Sequence, residues 1–250
     1  MIIEFKIRYN IKERNILNQE MFIKELENHH ITLTQHQINQ FDAYYQMLVE
    51  WNQKMNLTTI TSKEDVYLKH FYDSITMAFY HQLDNQSICD IGAGAGFPSI
   101  PLKIIFPNLK ITIVDSLNKR ISFLNHLTKH LELTNVTAIS KRSEEYALTH
   151  RESFDIVSAR AVARLNILNE LCLPLVKEKG YFIALKGYQG LEEIKEATKG
   201  ITTLGGTITQ IKEFNLPNSG DHRVNIYIQK IKKTPNKYPR VFGKIKKQPL

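Results

Sequence analysis

Cysteine is scarce in this 250-residue chain, which has only Cys89 and Cys172. One pair is too few for a disulfide framework, and no Cys/His spacing is that of a zinc site, so no metal is expected. Both thiols sit in apolar stretches and read as buried free cysteines in a reducing compartment. Long apolar runs are missing too. The first twenty residues interleave Glu4, Lys6, Arg8, Lys12, Glu13 and Arg14 with the apolar positions, unlike a secretory signal. No later run reaches membrane-spanning length. The expectation is a cytoplasmic protein without a membrane contact. Internal repeats and low-complexity segments are also absent.

Charge of one sign is confined to one place. The net charge is +8, and Lys230 to Leu250 carries eight of the 33 basic residues with no acid. The rest of the chain has 25 basic residues against 25 acidic ones and is formally neutral. A tail of Lys230, Lys232, Lys233, Lys237, Arg240, Lys244, Lys246 and Lys247 would attract a polyanion. It also fits a solvated terminus that aids solubility.

Hydrophobic periodicity divides the chain. Residues 1–20 carry no clear period and read as a loosely ordered extension. Residues 21–85 read as a small helical region. There Thr34 and Gln37 have capping-box spacing, followed by the stripe Ile38, Phe41, Tyr45 and Leu48. Thr61 and Glu64 repeat the spacing before Leu68, Phe71, Ile75 and Phe79. Residues 86–231 alternate strand and helix. Strands are predicted at Ser87–Ile91, Lys110–Asp115, Val136–Ser140, Phe154–Ser158 and Tyr181–Leu185, with helices at Asn118–His130 and Leu165–Val176. That order implies a mostly parallel α/β sheet covered on both faces. Two later runs, Thr207–Phe214 and Arg223–Ile231, flank a turn-prone segment and are expected to pair antiparallel. Residues 232–250 are the basic tail.

Asp90-Ile91-Gly92-Ala93-Gly94-Ala95-Gly96 ends the first strand and opens a helix. Its glycines allow a sharp turn and close approach of a ligand, at the strand end where open α/β sheets bind ligands. Such loops also occur as plain tight turns. A dinucleotide fingerprint needs glycine at position 97, which is Phe97, so a nicotinamide cofactor is disfavoured. Asp115 ends the second strand, where a carboxylate can accept from the two hydroxyls of a ribose. Asp90 is either a partner for a cationic group of the ligand or a capping carboxylate.

These residues resemble those of the small-subunit rRNA guanine-N7 methyltransferases, also called the glucose-inhibited division protein B family. The loop from Asp90 through Phe97, Pro98 and Ser99 to Pro101 and Leu102 resembles the family's cofactor loop. Asp115 to Arg120 resembles its second motif and Arg142 to Glu145 its third. Ser158 to Ala161 and Leu185 to Gly187 resemble the fourth and fifth. Trp51-Asn52, Asn56 to Thr58, His70 and Asp73-Ser74 match its helical part. The resemblance spans Leu33 to Ile231 in the family's order. It implies a Rossmann-like seven-stranded methyltransferase fold with a small helical N-terminal segment, and S-adenosyl-L-methionine as co-substrate. It implies cofactor contacts at Gly92, Phe97, Ser143, Glu144 and Arg160, beside Gly94, Asp115 and Asp90 of the same crevice. The methyl acceptor implied is N7 of guanine 527 in the 530 loop of 16S rRNA. The partner is then the small ribosomal subunit or its assembly intermediate, met by a monomer.

N7 of guanine carries a free lone pair, so catalysis is expected to be positioning rather than proton removal. No catalytic base is assigned; Arg160 and Arg164 are placed beside the acceptor pocket. Arg164 alternatively pairs with a surface acid. Lys119, Arg120, Arg164, Lys186, Arg223, Lys237 and Arg240 are candidate RNA contacts. His70 and Trp51 are read as a hydrogen-bonded structural histidine and a core tryptophan. Two competing readings are a methyltransferase with another RNA or a small-molecule acceptor, and a non-catalytic ribosome-associated RNA-binding protein.

Overall fold

A computed structural model describes residues 19–250; the expectation for the extension at 1–20 falls almost wholly outside them. The helical region starts with α1 (19–27) and α2 (Gln35–Met55). The expected capping box forms: the Thr34 hydroxyl accepts from the Gln37 amide at 3.3 Å, and the Gln37 carboxamide accepts from the Thr34 amide at 2.8 Å. The buried stripe of α2 is Gln40, Phe41, Tyr44 and Leu48, so Tyr44 replaces the expected Tyr45. Three residues after Phe41 is as good a helical neighbour as four, and the sequence offers a tyrosine at both.

The second capping box is shifted. Ser62, not Thr61, caps α3 (Lys63–Asp65), its hydroxyl accepting from the Asp65 amide at 3.2 Å. The chain then widens into a π-helical stretch, Val66–Tyr72, and tightens again through α4 (Asp73–Ile75) and a 3₁₀ turn, Thr76–Phe79. The expected stripe is buried at Leu68, Phe71 and Ile75 and half-buried at Phe79. No helix among the described residues is long and apolar enough to cross a membrane.

Seven strands follow: β1 (Ser87–Ile91), β2 (Lys110–Asp115), β3 (Val136–Ser140), β4 (Phe154–Arg160), β5 (Val176–Gly187), β6 (Gly206–Asn215) and β7 (His222–Lys230). Their order is β3-β2-β1-β4-β5-β7-β6. β1 to β5 are parallel, and β7 inserts antiparallel between β5 and β6, so the late pair forms as expected. Between them lie α5 (Ser99–Ile105), α6 (Asn118–His130), α7 (Ser143–Ala147), α8 (Leu165–Cys172) and α9 (Gly190–Thr203). α8 stops four residues short of expectation, where Leu173–Leu175 turns 3₁₀ around Pro174; proline has no N–H to continue the helix.

Side-chain alternation sends each strand's residues to two cores. Ile88, Ile111, Ile113, Ile156 and Ile183 join one core with Phe22, Phe41 and Phe71 of the helical region. Cys89, Val114, Val157 and Phe182 face the other, with Leu165, Leu168 and Ala197. Both cysteines are buried free thiols. Strand order reverses between β1 and β4, which opens a crevice at their carboxyl ends.

The C-terminal segment is not simply a charged tail. Lys230 is fully buried and donates to the carbonyl of Leu173 at 2.6 Å and the hydroxyl of Thr234 at 2.7 Å. Burial pushes its ammonium down to about 8. Arg151 donates to the Thr234 carbonyl at 2.7 Å and to that of Tyr238. Arg240 forms a fork with Glu170, with contacts of 2.6 and 2.9 Å, and Glu170 has no exposed surface. A final helix, α10 (Phe242–Lys247), buries Ile245 in the second core. Lys232, Lys233, Lys237, Lys244, Lys246 and Lys247 remain exposed. Sequence pattern missed this docking because the partners on the body lie 57 to 87 residues away.

Arg240→Met leaves Glu170 as an uncompensated buried charge. Its expected cost is about 3–5 kcal/mol of unfolding free energy. The double variant Arg240→Met/Glu170→Leu should recover most of it. Urea denaturation of the three proteins checks both statements.

Candidate active site

The loop after β1 is shaped by positive φ angles of 70° at Gly92, 60° at Gly94 and 102° at Gly96. Gly92 donates to the Val114 carbonyl of β2 at 2.8 Å, which pins the loop to the sheet. A Cβ on Gly92 would lie 2.7 Å from Val162 Cγ2. One on Gly96 would lie 2.8 Å from Tyr44 Oη, whose hydroxyl donates to the Ala95 carbonyl at 2.5 Å. The helical region thus braces the loop from behind.

Asp115 closes the next side. Its carboxylate accepts from the amides of Gly94 at 3.1 Å and Leu117 at 3.0 Å, and from Arg120 at 3.0 Å. Three donors fill three of roughly four acceptor positions, which leaves one for a ligand hydroxyl. The cavity between these groups has a volume of about 460 Å³ and is walled by the loop, Asp115, Ser143, Glu144 and Arg160. The Ser143 hydroxyl donates to the Leu171 carbonyl at 2.6 Å, so it can still accept. Burial raises the pKa of Glu144 above the usual carboxylate value.

Arg160, at the end of β4, ties the crevice to the helical region. It donates to the Lys69 carbonyl at 3.0 Å, Asp73 Oδ2 at 3.1 Å and His70 Nδ1 at 3.2 Å, and its guanidinium lies 5.1 Å from the Phe97 ring centre. His70 also stacks on the Phe97 ring, with centroids 4.4 Å apart. Arginine can only donate, so His70 Nδ1 is unprotonated and Nε2 carries the hydrogen, 2.8 Å from Thr58 Oγ1. Burial, with help from Arg160, pushes His70 down to about 3, so the ring is neutral. Beyond this wall is a second cavity of about 340 Å³, edged by Asp73, Lys186, Tyr188 and Arg223. His70, Arg160 and Ala161 line both cavities. Ala161 holds φ at 56°, a left-handed conformation that costs a non-glycine residue on the order of 1 kcal/mol.

Residues 37–222 match the family model described as rRNA small subunit methyltransferase G. The chain is 57% identical over 235 residues to Ribosomal RNA small subunit methyltransferase G of Staphylococcus carnosus, covering 92% of this chain and 98% of that protein. It is 56% identical over 233 residues to the protein of the same name from Staphylococcus aureus strain Newman, at the same coverage. The chain belongs to the rRNA small subunit methyltransferase G family. Two solved structures share its fold. One is a SAM dependent methyltransferase from Aquifex aeolicus, with TM-score 0.53 and 13% identity over 69% of this chain and 96% of that one. The other is M. jannaschii TYW2 in complex with AdoMet, with TM-score 0.53 and 16% identity over 69% and 80%.

Gly92, Gly94, Phe97, Asp115, Ser143, Glu144 and Arg160 all line the larger cavity. Asp90 does not. It is fully buried beneath the loop, accepting from the Ser99 amide at 3.1 Å and the Ser158 hydroxyl at 3.2 Å, and burial raises it to about 6. It braces the loop against β4 instead of reaching a ligand. Several candidate RNA contacts also have other partners. Lys186 is buried against Glu193 at 2.7 Å, and Arg223 donates to Asp73 at 3.0 Å. Arg240 is held by Glu170, and Arg120 by Asp115. Arg164 lies on the surface, paired with the acid Glu196 at 2.7 Å. Lys119, which donates to the Met55 carbonyl at 3.2 Å, and Lys237 are exposed. Trp51 packs on Phe123, as a core residue would. Sequence reasoning missed Phe242 and Tyr188, and the backbone conformation of Ala161. A positive φ at alanine leaves no trace in sequence, and Phe242 reaches the site from the tail.

His70 gives a pH dependence of stability. Its ordinary value is 6.5 and its folded value about 3. Between these values the unfolded chain binds a proton that the folded one refuses. The stability this site contributes is therefore complete above pH 6.5 and is lost as pH falls toward 3. His70→Gln is expected to remove that component. The stability gap between wild type and variant should narrow by roughly 2 kcal/mol from pH 7.5 to pH 5; a constant gap in urea titrations contradicts it.

Proposed function

We propose that the protein methylates N7 of a single guanine in 16S rRNA, guanine 527 of the 530 loop, using S-adenosylmethionine. The observation that carries the reading is the pair of cavities with a common wall of His70, Arg160 and Ala161. Family membership supports the donor and the rRNA acceptor. The larger cavity is within the ~300–1,000 Å³ of ordinary small-molecule sites, and its free acceptor on Asp115 suits a ribose. Gly92, Gly94, Phe97, Asp115, Ser143, Glu144 and Arg160 would hold the cofactor. Once bound, it supplies an activated methyl group on a positively charged sulfur.

The chain's own residues then act by placement. Phe97, stacked on His70, gives the inner wall a flat apolar face that excludes water. Neutral His70 avoids placing a further positive charge near a cationic donor. On the acceptor side, exposed Tyr188 offers a ring for base stacking. Exposed Lys119, Lys237 and the other free tail lysines suit RNA phosphates. No proton has to leave the acceptor nitrogen, so no base is assigned. The working unit is a monomer acting in the cytoplasm on the small subunit or an assembly intermediate.

The test uses small subunits and free 16S rRNA from cells lacking the protein, incubated with it and isotope-labelled S-adenosylmethionine. Mass spectrometry of nuclease fragments should find the label as one N7-methylguanosine in the 530 loop. Label on another nucleotide overturns the position, and unlabelled rRNA overturns the reading.

A further inference from the structure

We infer that the C-terminal segment is part of the cofactor site, with Phe242 closing the cavity over the purine end of the ligand. The inference rests on the reading that this cavity holds S-adenosylmethionine. Phe242 lines the larger cavity although it lies 82 residues beyond the end of β4. The Arg142 guanidinium sits 5.3 Å from the centre of its ring, and its backbone amide faces the Glu144 carboxylate. Phe242 is half-buried, while Ile245, one turn on in α10, is fully buried in the second core.

Strand order gives the ring its role. The acceptor-side wall, with Arg160, stands at the end of β4, and Asp115 at the end of β2. Lys141 to Glu144 follow β3, at the opposite edge of the parallel strands. The transferable methyl belongs beside the second cavity and the ribose beside Asp115. The base must then lie toward β3, against Phe242. A flat heteroaromatic ring on an aromatic side chain gains contact over its whole face, beyond what buried area alone supplies.

The geometry has a thermodynamic corollary. Phe242 is held in place by anchors that make no contact with the cavity: Arg240 on Glu170, Ile245 in the core, and Arg151 on the carbonyls of Thr234 and Tyr238. Cofactor binding and docking of the segment are therefore linked, and each strengthens the other. The tail lysines that flank Phe242 are exposed trypsin sites whose cleavage reports this docking.

The experiment measures S-adenosylmethionine and S-adenosylhomocysteine binding by titration calorimetry to the full chain. Phe242→Ala is expected to weaken both by about tenfold, the sum of lost stacking and lost apolar contact. Its melting temperature without ligand should stay near that of wild type, since the ring is only half-buried. Phe242→Leu keeps the bulk and loses the ring face, and is expected to bind several-fold more weakly. S-adenosylhomocysteine should slow tryptic cleavage within residues 232–247 of wild type, and much less so in Phe242→Ala at the same concentration. Wild-type affinity in a cooperatively melting Phe242→Ala overturns the inference while leaving the cofactor reading intact. If Phe242→Ala does not melt cooperatively, Phe242→Leu decides in the same way. Failure of wild type to bind either compound overturns the cofactor reading itself, and the inference with it.

Discussion

Gly92→Asp is expected to abolish binding of S-adenosylmethionine and of S-adenosylhomocysteine. Two independent costs fall on one position. The backbone holds φ at 70°, where a side chain is strained, and any Cβ would meet Val162 Cγ2 at 2.7 Å. The loop cannot relax away, because the Gly92 amide is bonded to the Val114 carbonyl at 2.8 Å. The rest of the aspartate side chain must then occupy the cavity or displace the loop. Gly94 is the internal control. It also has a positive φ, of 60°, but a Cβ added there would meet nothing within 4 Å. Gly94→Ala should therefore pay only backbone strain, on the order of 1 kcal/mol, and keep measurable affinity. Calorimetric titration ranks the three proteins; wild-type affinity in Gly92→Asp contradicts the placement of the site.

Arg160→Met is expected to lower the rate of methyl transfer at saturating cofactor by about 100-fold or more, the scale set by misplacing reacting groups by roughly 1 Å. One guanidinium joins the Lys69 carbonyl, Asp73, His70 and the Phe97 ring, and with them the wall common to both cavities. Without it, Asp73 retains Arg223 at 3.0 Å, so its charge stays paired and the fold should survive. Arg160→Lys should rescue little, because an ammonium cannot span several fixed acceptors as a planar fork does. Single-turnover methylation of rRNA is the measurement, with circular dichroism as the folding control. A rate within about threefold of wild type contradicts a positioning role of that size.

What could be read from sequence follows the range of the interactions. The bounds of β1, β2, β3 and α6 matched expectation because short β-branched apolar runs and an amphipathic helix write their pattern locally. The glycine loop and Asp115 were legible for the same reason: the loop's conformation is set by its own residues, and strand order then brings Asp115 to it. Arg160 could be placed near the site by resemblance, but its partners Lys69, His70 and Asp73 lie 87 to 91 residues earlier and have no local signature. Asp90 misled because a carboxylate before a glycine loop looks the same whether it points into the cavity or beneath it. It is turned beneath the loop, where Ser99 at the start of α5 and Ser158 of β4 donate to it. The tail misled most. Its charge suggested an arm in solvent, while Lys230, Tyr238, Arg240 and Ile245 are docked on the body by contacts that composition does not encode.

The most direct measurement is a crystal structure of the full chain with S-adenosylhomocysteine. The account predicts ribose hydroxyls at Asp115, the glycine loop against the ligand, the base toward Phe242 and the sulfur facing Arg160 and the second cavity. Ligand bound elsewhere, or lying in the crevice with its sulfur turned away from Arg160, would contradict it.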